Sequence, residues 1–330
     1  MRAGQACCDA DGSDVQEPAK GATDSLTGHI LMTVPNQPGA TARIAPAGVA
    51  FLAVTSVCWG FNWPIVKYLI GYLPPLTLRG VSGVLGAVFL AILAVLWGQS
   101  LRVPRRFWPR LVLAAFLNVG CWMALMGFAL LWLSASETAL VAYTMPVWAS
   151  ILAWPILGER PNGLRVLSLA MAFAGLSAIL GGSGFAESLS KLPGILMALT
   201  GAIAFAVGTV LAKKRPLPIP PVSAAAWQVG IGCLPLAMMG LLFEHSSLAG
   251  FSTAGWLMLG YSVFVQFCVA YVCWFSALAR LPASVAAIGT MAVPVIGVVA
   301  SAIALHEPLG IGQIAALAFT VAGVALATQS

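Results

Sequence analysis

Long apolar runs alternate with short polar loops along most of the chain. A membrane-spanning helix needs about 20 predominantly apolar residues, and ten segments meet that requirement. They are 48–70, 74–98, 109–132, 135–157, 164–182, 193–213, 222–243, 254–279, 283–305 and 309–328. Breaks rich in proline or glycine, such as 161–163 and 216–221, separate neighbouring segments. The pattern predicts an all-α membrane protein with ten transmembrane helices.

Charged residues are scarce and unevenly distributed. They make up 8% of the 330 residues, against about 25% in soluble domains. After position 45 the acidic residues are Glu137, Glu159, Glu187, Glu244 and Glu307. So few charges exclude a water-facing surface for that part of the chain. Residues 1–45, rich in Gly, Ala, Asp and Pro, are expected to form a disordered cytoplasmic tail, in which Met32 is an alternative start to Met1.

The positions of Lys and Arg predict the orientation. If the N-terminus is cytoplasmic, all but three of the 16 basic residues lie on the cytoplasmic side, the exceptions being Lys67, Arg79 and Lys191. This asymmetry follows the positive-inside rule and predicts cytoplasmic N- and C-termini in a multi-pass protein of the cell inner membrane. The basic residues form short loop clusters rather than a stripe. We therefore expect a lipid bilayer around the chain and no nucleic-acid partner.

The second half of the sequence repeats the first. At an offset of 148 positions, 14 of the 51 residues in 129–179 are identical to those in 277–327. The most informative matches are Ser136, Pro146, Glu159 and Gly175 with Ser284, Pro294, Glu307 and Gly323. We therefore predict two five-helix repeats, 46–182 and 192–329. Because five is odd, the repeats cross the membrane in opposite directions. Inverted repeats are a recurrent design of secondary transporters.

These features resemble the EamA-type branch of the drug/metabolite transporter superfamily. The resemblance rests on WGFNWPIVK at 59–67, on the proline-containing fourth and ninth segments, and on the helix ends ERP at 159–161 and HEP at 306–308. It covers about 46–329. It implies a ten-helix basket around a central cavity lined mainly by helices 1, 3, 4, 6, 8 and 9. It also implies export or exchange of small metabolites, often amino acids.

The paired prolines and glutamates have two interpretations each. A proline inside a helix frees the carbonyl four residues earlier, so Pro146 and Pro294 are expected to kink helices at the substrate site, or simply to improve packing. Glu159 and Glu307 end their helices, where a carboxylate opposes the helix dipole. We expect each to clasp the N-terminus of the following helix by accepting backbone N–H groups, with proton coupling as the alternative.

Aromatic and amide side chains are the remaining candidates for substrate binding. They are Trp59, Asn62, Asn118, Trp122, Tyr143, Gln266 and Tyr271. Buried amides need hydrogen-bond partners, and aromatic rings can receive a cation on their faces. Trp63, Trp154 and Trp274 are assigned instead to packing or to the interfacial belt.

The sequence places no ionisable residue at the centre of a span. Lys67, Arg79, Glu137, Lys213 and Arg280 all fall near predicted helix ends, where long side chains can snorkel. A charged substrate would require a countercharge in the span. We therefore expect a neutral or zwitterionic, partly apolar substrate, moved by facilitated diffusion or weak coupling.

Other functional classes have less support. No Asp follows position 24, and the Gly-x-Ser-Gly at 181–184 has no histidine suitably placed to act as a base. No phosphate-binding loop indicates ATP use, and no spacing indicates a metal, so neither enzyme activity nor a cofactor or metal is expected. A channel is the remaining alternative. The glycines at 80, 83 and 86 predict a close helix contact within the chain or in a homodimer.

Overall fold

The computed structural model describes residues 45–158, 163–181, 185–245, 251–281, 285 and 289–328. These residues belong to one compact unit, Ala42–Ser330, and all regular structure in them is helical. The first helices are α1 (Pro46–Ile70), α2 (Pro75–Leu96), α3 (Trp108–Ala115), α4 (Cys121–Trp132), α5 (Ala135–Ala142), α6 (Met145–Leu157) and α7 (Gly163–Gly181). The others are α8 (Phe185–Lys214), α9 (Pro221–Phe243), α10 (Thr253–Gly260), α11 (Ala270–Leu278), α12 (Ala292–Leu305) and α13 (Ile311–Thr328).

Several consecutive helices form single spans. A π-helical segment, Phe116–Gly120, joins α3 to α4, and a second one, Tyr261–Val269, joins α10 to α11. Seven stretches of the described chain are long and apolar enough to cross a membrane: α1, α2, Arg105–Trp132, Ala135–Leu157, Leu189–Lys214, α9 and Thr253–Leu278. Three shorter apolar helices, Val166–Ala178, Ala292–Leu305 and Ile311–Leu326, lie where the sequence predicts its fifth, ninth and tenth spans.

Local chemistry explains where the helices begin. Pro46, Pro75 and Pro221 each occupy the first turn of a helix, where a missing N–H removes no hydrogen bond. Helix α5 starts with a capping box, in which Ser134 accepts from the Glu137 N–H and Glu137 accepts from the Ser134 N–H.

The glycine face of α2 is filled by the chain itself. A Cβ at Gly80 would overlap the backbone of Ala237 in α9, and one at Gly83 would overlap Cys233. A Cβ at Gly86 would meet the ring of Phe267. Glycine therefore permits a backbone-to-backbone approach of α2 and α9, and this face is not left for a second subunit.

The two predicted proline kinks differ from expectation. Pro146 does not bend one continuous helix, since α5 ends at Ala142 and Pro146 lies in the first turn of α6. Pro294 likewise lies in the first turn of α12, where proline costs no internal hydrogen bond. The carbonyl of Thr290, expected to be freed by Pro294, accepts from the N–H of Val293 at 3.0 Å. The chain thus breaks just before each proline, and the next helix begins at Met145 in one case and at Ala292 in the other.

Candidate functional site

A cavity of about 130 Å³ lies within the helix bundle. It is lined by Trp59, Asn62, Trp63, Arg79, Asn118, Val119, Trp122, Met123, Tyr143, Met145, Phe205, Gln266, Phe267 and Tyr271. This set includes all seven side chains that the sequence singled out for substrate binding. They come from α1, the two π-helical segments, α4, α11 and the turn between α5 and α6. The structure therefore gathers residues that are more than 200 positions apart in the chain around one central cavity.

Aromatic rings form much of the cavity wall. The ring of Trp59 packs edge-on against Tyr271, with centroids 5.8 Å apart, and the ring of Tyr271 is stacked with that of Phe267 at 6.4 Å. On another side, Trp122 packs against Phe205 with centroids 5.0 Å apart. Such walls offer apolar contact area together with ring faces that attract cations.

Each π-helical segment contributes an amide to the cavity. Asn118 lies in Phe116–Gly120 and Gln266 lies in Tyr261–Val269. The two positions align at the same offset of 148 that relates Glu159 to Glu307. Single π-helical turns within α-helices occur frequently at functional sites. The same unusual local structure thus presents an amide from each half of the chain.

Three amide oxygens at the cavity are buried without a hydrogen-bond partner in the described structure. They are Oδ1 of Asn62, Oδ1 of Asn118 and Oε1 of Gln266. The orientation of Asn118 is set by its Nδ2, which donates to Oε1 of Gln228 at 3.4 Å. Most buried polar atoms in proteins have partners, so the oxygens of Asn62 and Gln266 are available to hydrogen-bond donors of a bound molecule. Oδ1 of Asn118 lies against α8 instead, where a Cβ at Gly208 would overlap it.

Arg79 corrects the expectation that its side chain snorkels to the membrane surface. Its side chain lines the central cavity, is 3% exposed, and has a buried Nε without a partner. The sequence placed Arg79 near a helix end and therefore assigned it a snorkelling position. It lies only one turn into α2, but the close packing beside Gly80 encloses that turn within the bundle. The adjacent glycine spacing was the signal that could have placed Arg79 inside.

Other wall residues were missed or assigned differently from sequence. Trp63, assigned to packing, lines the cavity. Trp274 packs against Trp59 with ring centroids 5.7 Å apart and so supports the wall from behind. Trp154 is 54% exposed on the bundle surface. Burial depends on how the helices rotate about their axes, which the composition of these uniformly apolar segments does not specify.

Pro146 and Pro294 lie beside the central cavity rather than in its wall. Both line a separate space of about 20 Å³. Tyr143 and Met145 line that small space and also the central cavity. The two helix breaks therefore face each other directly behind the Tyr143 wall.

Glu307 caps a helix, but not the following one that the sequence suggested. Its Oε1 accepts from the Ala135 N–H at 2.7 Å, and its Oε2 accepts from the N–H and the hydroxyl of Ser136 at 3.0 and 2.5 Å. These donors are at the N-terminus of α5, where the helix dipole favours a carboxylate. Its repeat counterpart Glu159 lies outside the described residues.

Glu244 makes the same kind of cap on α2. Its Oε1 accepts from the Leu76 N–H at 3.1 Å, and its Oε2 accepts from the N–H and hydroxyl of Thr77 at 2.7 and 2.8 Å. We call the end of the bundle that holds these two caps the carboxylate end. Nothing in the local sequence around Glu244 indicates this role, because its partners are far away in the chain.

Two lysines add further links at the carboxylate end. Nζ of Lys67 donates to the carbonyls of Leu130 and Leu133 at 2.5 and 2.8 Å. Nζ of Lys191 forms an ion pair with Glu137 at 2.9 Å. These contacts join α1 to the end of α4, and α8 to α5.

The opposite end of the bundle, which we call the basic end, contains a second cavity. It has a volume of about 530 Å³, and its lining includes Arg110, Lys214 and Arg215 together with Gln228 and Asn118. Asn118 therefore lines both this cavity and the central one. Among the described residues, Asn118 is the one that the linings of the two cavities share.

Comparison with known proteins assigns the chain to a family. The profile of the EamA-like transporter family matches residues 46–181 and again residues 192–329. An uncharacterized transporter of Bacillus subtilis, YvbV, is 32% identical over 83% of this chain and 89% of its own length. A probable amino-acid metabolite efflux pump of Escherichia coli is 27% identical over 79% of this chain and 88% of its own.

A solved crystal structure shares the fold. It covers 86% of this chain and 96% of its own, with a TM-score of 0.62 at 23% sequence identity. The two family matches and the relative at 32% identity show that the chain belongs to the EamA-like transporter family, within the drug/metabolite transporter superfamily. With its apolar helices, it is a multi-span membrane protein.

Proposed function

We propose that this protein is a secondary transporter that exports small neutral or zwitterionic metabolites, amino acids first among them, across the inner membrane. In this proposal ten spans form two inverted repeats, 46–182 and 192–329, and alternating access to the central cavity moves the substrate. Both termini are cytoplasmic, so the basic end faces the cytoplasm and the carboxylate end faces outward.

The observation that carries the proposal is the central cavity, because both family-matched segments contribute to its wall. The first segment supplies Trp59, Asn62 and Tyr143, and the second supplies Gln266 and Tyr271. A binding site at the interface of inverted repeats is the arrangement that alternating access requires, since rocking one repeat against the other opens the site to either side.

The size of the cavity favours metabolites over larger drugs. Its volume of about 130 Å³ is well below the roughly 300 Å³ at which pockets for drug-sized ligands begin. The E. coli relative named as a probable amino-acid metabolite efflux pump supports the same class of substrate. A drug exporter coupled to proton exchange is the alternative, and it predicts transport of larger cations that depends on a pH gradient.

The arrangement of the two ends supports access from the cytoplasm in this conformation. Glu244 and Glu307 each link separate helices at the carboxylate end, whereas the second cavity reaches Asn118 from the basic end. The helix breaks before Pro146 and Pro294 are the proposed hinges, because they lie directly behind the cavity wall. Replacing Pro146 with Ala is expected to lower transport more than expression, while an equal loss of both would indicate a packing role.

Counterflow in proteoliposomes tests the proposal. Liposomes preloaded with one unlabelled amino acid at a time are expected to accumulate the labelled form transiently and saturably, with and without a pH gradient. Gln266→Leu should lower the initial rate about tenfold, since an amide hydrogen bond is lost, and Trp154→Phe on the bundle surface should leave it unchanged. A linear, unsaturable flux would indicate a channel, and competition by a cationic drug alone would reject the amino-acid assignment.

A further inference from the structure

We propose that Arg79 binds the carboxylate of the transported molecule, so that the central cavity selects substrates carrying a carboxylate at one end and an ammonium group at the other. This inference rests on the proposed transport function and specifies how its substrate is recognised.

Arg79 is an unusual cation because it is enclosed and unneutralised in the described structure. Its side chain is 3% exposed, its Nε is buried without a partner, and it lines the central cavity. A charge within a membrane bundle normally pairs with another group or marks the path of a substrate or ion. The guanidinium therefore has hydrogen-bonding capacity left for a ligand.

The acidic side chains that the structure describes are engaged elsewhere. Glu137 pairs with Lys191, while Glu244 and Glu307 cap the N-termini of α2 and α5. None of these three carboxylates contacts the Arg79 guanidinium at ion-pair distance. A carboxylate brought by the substrate would supply the missing partner, and arginine binds that group with two parallel N–H donors.

The remaining polar atoms of the cavity have the opposite chemistry. The unpartnered oxygens of Asn62 and Gln266 are acceptors, and they match two of the three donors of an ammonium group. The aromatic faces of Trp59 and Tyr271 add a favourable environment for a cation and for an apolar side chain. The Arg79 guanidinium, which binds anions, and the amide oxygens of Asn62 and Gln266, which bind cations, thus line the same small cavity.

The packing around Arg79 leaves room for its stem. A Cβ at Gly127 in α4 would lie 3.3 Å from Cγ of Arg79 and 3.3 Å from Cβ of Pro75. The glycine therefore provides the space through which the side chain passes beside α4. This confinement holds the guanidinium at the cavity rather than in lipid.

Binding measurements on the purified full-length protein test this inference independently of transport. Calorimetric titrations would use four probes: L-phenylalanine, L-phenylalaninamide, L-leucine and L-leucinamide. We expect the wild type to bind each free acid at least about tenfold more tightly than its amide, because a site built for one group rejects the analogue that lacks it. In Arg79→Gln this preference should fall to about one, mainly through weaker binding of the acids.

Controls keep the outcome interpretable. Arg79→Lys retains the charge but not the paired donors, so it should keep an intermediate preference for the acids. Binding of the amides by Arg79→Gln, unchanged within about threefold, would show that the cavity is intact. If Arg79→Gln does not fold, an unaltered acid-to-amide ratio in Arg79→Lys overturns the inference.

Equal binding of acids and amides by the wild type would also overturn it, even if counterflow is observed. The inference would also be overturned if neither acid binds while a solute that lacks a carboxylate is transported. Conversely, the expected binding preference without any counterflow would contradict the transport proposal and leave the assignment of Arg79 standing.

Discussion

At each end of the bundle, a side chain that follows one of the helices α2 and α9 caps the start of the other, but the cap at the carboxylate end makes more hydrogen bonds. At the carboxylate end, Glu244 follows α9 and accepts three hydrogen bonds from Leu76 and Thr77 at the start of α2. At the basic end, Gln99 follows α2 and accepts one, from the N–H of Ser223 at the start of α9, at 3.3 Å. Thr77 and Ser223 align at an offset of 146 positions, and Glu244 and Gln99 align within one position of it, so these are corresponding contacts in the two halves.

The difference between these caps lies in charge and in completeness. Hydrogen bonds to an ionised acceptor are roughly twice as strong as neutral ones. The hydroxyl of Thr77 donates to Glu244, whereas the buried hydroxyl of Ser223 has no partner in the described structure. Corresponding caps at opposite ends of the bundle can therefore differ in strength, and α2 and α9 are joined more strongly at the carboxylate end.

Loss of the Glu307 cap is expected to have the largest effect. Glu307→Ala removes three hydrogen bonds to α5 and leaves two N–H groups of its first turn without that acceptor, which should cost about 3 kcal/mol of unfolding free energy. Unfolding of the purified protein in detergent measures this. Ser136→Ala, which removes one of the three bonds, should cost about 1 kcal/mol, and Ile303→Ala, 72% exposed on the same helix, should be nearly neutral. Equal effects of Glu307→Ala and Ile303→Ala would contradict the cap.

Glu244→Gln is expected to make the carboxylate end resemble the basic end. A glutamine has one acceptor oxygen, so it cannot accept from both Leu76 and Thr77 while its NH₂ group faces one of them. The unfolding free energy should fall by about 1 to 2 kcal/mol. If opening of this end limits transport, counterflow should become faster relative to the wild type. An unchanged stability would show that the charge of Glu244 is unimportant.

Gln99→Glu is the reverse exchange and should strengthen the basic end. A carboxylate at the N-terminus of α9 meets the helix dipole and can accept from the free Ser223 hydroxyl, which we expect to add about 1 kcal/mol of stability. Unfolding of the purified protein in detergent measures this gain. Gln99→Ala should be less stable than the wild type, and Gln99→Glu in a Ser223→Ala background should lose part of its gain.

Replacing His306 with glycine is expected to have the smallest effect on the unfolding free energy. It turns the chain into Glu307 with a φ of 53°, in the left-handed region that non-glycine residues rarely occupy. His306→Gly should therefore change the unfolding free energy by at most about 1 kcal/mol, with stabilisation favoured. His306→Val should be destabilising, because a β-branched residue is disfavoured at positive φ. A loss in the glycine variant as large as that of Glu307→Ala would mean that the imidazole itself has a role.

The sequence predicted the elements of this fold better than their mutual contacts. Helix positions followed from the lengths of apolar runs, and α1, α2 and α9 begin and end within about two residues of their predicted limits. The side chains proposed for the cavity are amides and aromatic residues in otherwise uniform apolar segments. Such residues are unusual there, which makes them visible without any knowledge of packing.

Arg79 and Glu244 show what the sequence did not reveal. Both lie near helix ends, where a charged side chain can reach water, lipid headgroups or another helix. The choice depends on which helix packs alongside, and for both residues the contact between α2 and α9 decides it. Similarly, the chain break before Pro146 depends on the turn at Tyr143 and Thr144, which no local residue preference required.

The paired π-helical segments also carry information about the ancestry of the chain. Such segments account for well under 1% of residues in proteins, yet Asn118 and Gln266 occupy them at equivalent positions of the two halves. Independent origin of the same rare distortion, in the same register, in halves that otherwise share few residues would be an improbable coincidence. The simplest history is that the distortion already existed in a single ancestral unit before duplication, and that it has outlasted most of the sequence around it.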